Sequence, residues 1–169
     1  MLFKRFSFPT LLLAGALCLP LASCSDDDDD TVTPAAEVTL YDKLGKVAGI
    51  TGVIDQFVTN VVAETATPTS KLKRTFQGLL NEVAAGRTAR VTLLKHNLID
   101  QIGQAAGGPL VYKGQDMVTA HTGMMITDDE FTALVTALSQ ACDTKGVAAA
   151  DKATLLGVLG GMKGSIVGK

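Results

Sequence analysis

The chain has 169 residues, with 15 Lys and Arg against 17 Asp and Glu, a formal net charge of −2 and 47% hydrophobic residues. With no basic stripe and aromatics at only 5%, a nucleic-acid surface is excluded. The cysteines form no disulfide framework. The sequence holds no CxxC pair, HExxH helix, Gly-rich phosphate loop or serine nucleophile elbow, which removes the common metallohydrolase, nucleotide and serine-hydrolase classes.

At the N-terminus, Lys4 and Arg5 precede an apolar stretch from Leu11 to Ala22 that is too short to span a bilayer as a stable helix. It ends in Leu21-Ala22-Ser23-Cys24, and this order of basic start, apolar middle and small residues before cysteine resembles the lipobox of bacterial lipoprotein precursors. The resemblance implies a cleaved signal peptide over 1–23 and lipid on Cys24, where several acyl chains anchor stably and a single one binds only marginally. Ser25, the five aspartates Asp26 to Asp30 and a Thr/Pro/Ala stretch to Ala36 come next. Like charges at this density repel and do not pack, so 24–36 reads as a solvated tether. No glycine-bent loop arranges these carboxylates around calcium. Acidic runs in this place resemble those of surface-exposed lipoproteins in some Gram-negative bacteria. The expectation is a lipid-anchored protein of the cell envelope, at the outer membrane, on its periplasmic or surface face. Loss of the leader removes Lys4 and Arg5 and no acids, taking the net charge from −2 to −4.

Residues 37–169 are one domain's worth of chain, and their periodicity is helical nearly throughout. A first helix from Ile50 buries Val53, Ile54, Phe57, Val58, Val61 and Val62; its length and lack of alternation favour helix over strand despite the β-branched residues. A second carries Val91, Leu94, Leu98, Ile102 and Ala105 on one face and stops at Gly107-Gly108-Pro109. A short helical segment then aligns Met117, Ala120, His121 and Met124. A third long helix opens on the capping box Thr127-Asp128-Asp129-Glu130 and continues with Phe131, Leu134, Val135, Leu138 and Cys142. A fourth places Leu155, Val158, Leu159, Met162 and Ile166 together, weakened by Gly157, Gly160, Gly161 and Gly164. Cys142, on a buried stripe, reads as a small core residue. The segments Ala63–Ala89 and Gly107–Gly114 are poorly periodic, and all-helical domains use such long connections to surround something. One of only two histidines in the chain, His121 sits on an apolar stripe. An imidazole there is either a hydrogen-bonded core residue or a ligand to something bound inside.

The ordered positions Tyr41-Asp42-Lys43-Leu44-Gly45, Gly49-Ile50, Val53-Ile54-Asp55-Gln56-Phe57, Gly107-Gly108-Pro109, Tyr112, Gly114, Met117, His121, Gly123, Ile126-Thr127 and Phe131 resemble the truncated globins of group I. The resemblance covers nearly all of the chain after the tether. It implies an all-α, two-over-two helical sandwich around haem b (iron protoporphyrin IX), with His121 as the proximal iron ligand. Haem is a large apolar plate with two carboxylates, which suits a wall of aliphatic and aromatic groups with one donor. Met117, Ile126 and Phe131 are expected to line the proximal side, Phe57 and Phe76 the opposite one, and Tyr112 or Lys95 to meet a propionate. Many group I members carry a tyrosine directly after the phenylalanine matching Phe57; here that residue is Val58. The facing helix offers Leu94, Asn97 and Leu98, so an apolar distal pocket is expected. One buried hydrogen bond to oxygen is worth about 1–3 kcal/mol, and its loss speeds release roughly tenfold to a hundredfold. Gln101 shares the Leu94 stripe, so it either reaches into the cavity or, the leading expectation, sits at the rim with its amide in solvent. His96, turned roughly 200° from Leu94 and from Leu98, is expected to face away.

Three functions fit such a protein: reversible binding of oxygen or nitric oxide, nitric oxide dioxygenase-type detoxification, and haem capture or storage at the envelope. The second needs an electron donor, which a site outside the cytoplasm lacks in its usual form, so gas binding leads and an enzyme is the lesser expectation. The partners implied are haem, a diatomic gas and the membrane through Cys24, with no nucleic acid.

Overall fold

The computed structural model describes residues 37–169; the expected signal peptide over 1–23, Cys24 and the expected tether over 24–36 lie outside the described residues. Seven α-helices follow one another there: α1 (Leu40–Lys43), α2 (Lys46–Thr65), α3 (Lys73–Ala84), α4 (Ala89–Ala105), α5 (Met117–His121), α6 (Asp128–Thr144) and α7 (Ala149–Gly161). A 3-10 turn at Lys163–Ser165 follows α7. Extended pairing among the described residues is a single bridge between Ile126 and Val167. None of the described helices is long and apolar enough to cross a membrane.

Local chemistry places the helix ends. Thr39 and Asp42 form a reciprocal capping box on α1, as Thr127 and Glu130 do on α6, each satisfying amides that a helix start leaves unpaired. The break between α1 and α2 needs glycine twice. Gly45 adopts φ +81°, and a side chain at Gly49 would run into the Leu44 carbonyl.

Helix α2 packs on α4 and on α6, and α6 packs on α7, giving two helical pairs stacked face to face: the two-over-two sandwich. Its main core gathers Ile50, Val53, Ile54, Phe57 and Val61 of α2 with Ala137, Leu138, Ala141 and Cys142 of α6 and Leu155 of α7. Fully burying such aliphatic side chains stabilises the fold by about 1.5–3 kcal/mol each. Cys142 is a free, buried thiol. A second, smaller cluster of Ile126, Phe131 and Ile166 draws in Met117, Met124 and Met162.

Three sequence expectations need correction. The supposed connection Ala63–Ala89 contains the twelve-residue α3, whose apolar stripe is narrow and never fully buried. Val62 is exposed at 47%, because the inward arc of α2 is used up by Ile54, Phe57, Val58 and Val61. The last helix ends at Gly161; Ile166 reaches the core from beyond it.

Candidate functional site

Between the two apolar clusters lies a cavity of about 310 Å³, within the range of small-molecule and cofactor sites. Phe57 of α2, Phe76 of α3, Leu94 and Leu98 of α4, Met117 and His121 of α5, Ile126 just before α6 and Phe131 in its first turn form its wall, together with Tyr112. In α4 only Gly103 is fully buried; Leu94 and Leu98 are half-buried and turned to the cavity. A polar groove of about 350 Å³ elsewhere is lined by Asn60, Glu64, Lys71 and Asp129. Its charged groups are already engaged with one another or with nearby backbone and hydroxyl groups.

Nine of the ten cofactor-contact residues read from the sequence are thus brought together. Val58 is the exception: it is half-buried against the main core and does not line the cavity. One residue along a helix is a turn of about 100°, so with Phe57 aimed into the cavity Val58 faces aside.

His121 is the chemically distinctive group. Its Nδ1 lies 2.7 Å from the Met117 carbonyl oxygen, which only accepts, so Nδ1 carries the proton and donates. Nε2 is then the nitrogen with the free lone pair, the arrangement in which imidazole binds a metal. Among the described residues no group of three His, Cys, Asp or Glu converges on a metal position, so His121 stands as a lone imidazole on a mainly apolar wall. A porphyrin that brings four donors of its own fits that set; a bare metal ion does not.

The loop before α5 is held by side chains. Asp116 caps α5 by accepting from the Thr119 amide at 3.0 Å and hydroxyl at 2.6 Å. Those bonds hold the Asp116 carboxyl below its ordinary pKa. The Tyr112 hydroxyl donates to the Gln115 carbonyl at 2.8 Å and its ring lies where a side chain at Gly114 would sit. Burial, reinforced by the Asp116 charge, raises the Tyr112 phenol above its usual value.

Polar residues modify the expected picture. Gln101 does not keep its amide in solvent: Nε2 donates to the sulfurs of Met117 at 3.3 Å and Met162 at 3.4 Å. Two soft acceptors inside the fold draw the side chain inward. It also borders a small apolar chamber of about 60 Å³ that shares Phe57, Leu98 and Leu134 with the cavity. Asn97, Thr75 and Arg90 line the cavity as well. The expected cation Lys95 instead pairs with Asp55, whereas Arg90, at the start of α4 and 3.2 Å from Glu82, stands at the wall. Arg90 went unnoticed because it precedes the periodic stretch of α4; its place one turn before Leu94 was the available signal. His96 is exposed.

Glu130 is 6% exposed and also borders the cavity. Its carboxylate receives Arg74 Nε at 2.8 Å and Nη2 at 2.5 Å, the Thr75 hydroxyl at 2.9 Å, and the Thr127 amide at 2.8 Å and hydroxyl at 3.0 Å. Burial pushes its pKa upward, but these donors outweigh burial and bring it down to about 2.

The model of the family described as "Bacterial-like globin" matches residues 39–167. Among solved structures, the Fe(III) form of a truncated hemoglobin from Tetrahymena pyriformis and two point variants of it align with a TM-score of 0.64. They cover 78% of this chain and 99% of theirs at 24% identity, a likeness of fold. With the matched residues running from the cap of α1 to beyond α7, the chain belongs to the bacterial-like globin family.

Proposed function

We propose that this protein is a truncated globin of group I that holds haem b through His121 and binds a diatomic gas reversibly. The observation that carries the reading is the 2.7 Å bond from His121 Nδ1 to the Met117 carbonyl, which leaves Nε2 as the donor on the wall of an apolar cavity. Bound there, the haem iron supplies a coordination position for oxygen or nitric oxide. The chain's own residues do the rest. The Met117 carbonyl fixes the imidazole tautomer, while Phe57, Leu94 and Leu98 keep water away. Arg90 offers the porphyrin carboxylates a cation. The order Lys4-Arg5, apolar stretch, Leu21-Ala22-Ser23-Cys24 and Asp26 to Asp30 supports a lipid anchor on Cys24 and display at the cell envelope.

Absorbance spectra of the purified protein with haemin, ferric and dithionite-reduced, test the assignment. The wild type is expected to take up haemin stoichiometrically, and His121→Ala to lose affinity by about tenfold or more, partly restored by added imidazole. A protein that refuses haemin, or a spectrum unchanged by His121→Ala, would overturn it.

A further inference from the structure

Helix α5 spans only Met117–His121, and one turn of helix does not hold its own geometry in water. The Asp116 cap and the His121 Nδ1–Met117 bond act at or within that turn; what seats the turn in the fold must come from outside it. Two hydrogen bonds lead from His121 to α3. The His121 carbonyl accepts from the Met124 amide at 3.0 Å, and the Met124 carbonyl accepts from Arg74 Nη1 at 3.0 Å. Arg74 Nη2 donates to the next carbonyl, Met125, at 3.0 Å. The remaining edge of the same guanidinium is held by the buried Glu130 carboxylate, itself fixed by Thr75 and Thr127. From the other side, the Met125 amide donates to the Lys169 carbonyl at 2.7 Å and the Gly168 amide to the Ile126 carbonyl at 2.9 Å. Met125 itself sits at φ +49°, a left-handed conformation that a side chain other than glycine keeps only where its surroundings impose it. The planar fork of arginine is the group that can bind two carbonyls and a carboxylate at once.

We infer that Arg74 and Glu130 are positioning residues for His121: together they anchor the α5–α6 loop and so set the imidazole in the cavity. The inference rests on the haem reading above for what His121 holds, and on geometry alone for the anchor. Glu130 borders the cavity as an ion already matched by Arg74, so it brings no free negative charge to the porphyrin carboxylates.

The full chain, cofactor-free and haemin-loaded, tests it in Arg74→Leu, Arg74→Lys and Lys71→Met. Lys71→Met is the control, because it removes another bridge to α6, Lys71 to Asp129 at 3.0 Å, without touching the loop. Amide exchange in the cofactor-free protein is expected to quicken about tenfold over 122–127 in Arg74→Leu, with α2 unchanged. In the loaded protein, Arg74→Leu is expected to lose haemin about tenfold faster and to broaden the ferrous iron–histidine stretching band in resonance Raman. Arg74→Lys, which keeps charge but not the fork, recovers part of each change, and Lys71→Met matches wild type. Should Arg74→Leu fold too poorly to measure, Arg74→Lys carries the same comparison at smaller amplitude. Wild-type exchange over 122–127, or an unchanged band and haemin loss with a loosened loop, overturns the inference. A wild type that takes up no haemin overturns the proposed function instead, and the exchange data still decide for or against the anchor.

Discussion

The imidazole of His121 donates to a backbone carbonyl rather than to a carboxylate, so its ring is oriented without gaining the electron density an anionic acceptor supplies. On the proposed gas-binding function, what a ligand meets depends on the α4 wall, where Leu94 and Leu98 are hydrocarbon, Asn97 is polar and the Gln101 amide is turned to the Met117 and Met162 sulfurs. Leu98→Gln adds a donor to that wall. Oxygen release from the ferrous protein, followed by stopped flow, is expected to slow by roughly tenfold, the equivalent of one hydrogen bond of about 1.4 kcal/mol. A rate equal to wild type would show that the wall does not face the ligand. The residues of this site were legible where a large side chain lies on a strongly periodic helix, as with Phe57 and Leu94; Met117 and His121, on the one-turn α5, were placed by helical spacing and by the resemblance. Gln101 was misplaced because periodicity gives a face and says nothing of polarity inside it; the inward pull comes from two sulfurs distant in sequence. Val58 was misplaced because a resemblance carries over a position and not the rotation of its helix.

At the scale of elements, the starts of helices were plainer than their middles. The Thr127 to Glu130 box was readable because its chemistry is local, three residues apart. Helix α3 was missed because Gln77, Gly78, Asn81 and Glu82 dilute a stripe of Phe76, Leu79, Leu80 and Val83, although that spacing is helical. Its start is marked by Ser70, whose hydroxyl oxygen accepts from the Lys73 amide at 2.9 Å, a signal hidden in the run Thr67-Pro68-Thr69-Ser70. The cap of α6 bears on stability as well as on the loop. Thr127 accepts from the Glu130 amide at 3.2 Å, and Thr127→Ala is expected to cost about 1 kcal/mol, a fall in unfolding midpoint of about 4 °C by calorimetry. Thr127→Ser keeps the acceptor and is expected to stay within about 0.5 kcal/mol of wild type. Equal losses in both variants would assign the effect to the threonine methyl.

For the molecule as a whole, four amphipathic stretches pointed to an all-α fold and the resemblance to truncated globins supplied the two-over-two stack; a pocket was expected from both, but its place at the seam where the two apolar clusters fail to meet was not legible. The Arg74–Glu130 pair stands at that seam, joining α3, the α5–α6 loop and α6, and it ties the fold to pH. Glu130 has an ordinary pKa of 4.5 and a folded value of about 2. Above pH 4.5 the carboxylate is ionised in both states and its stabilisation is fully present. As pH falls from 4.5 toward about 2 the unfolded chain takes up the proton while the folded chain resists, and that stabilisation is lost. The full span corresponds to at most about 3 kcal/mol, reduced by the water that reaches the half-exposed Arg74. Asp42 and Asp116, held below their usual values by Thr39 and Thr119, act in the same direction, so a wild-type titration alone does not isolate Glu130. Subtraction does. Urea unfolding at pH 6 and pH 3.5 is expected to show wild type losing about 1 kcal/mol more than Glu130→Gln over that interval, with the variant the weaker protein at pH 6. Parallel losses in the two proteins would mean that the buried carboxylate titrates alike folded and unfolded, and that Arg74 does not grip it in solution.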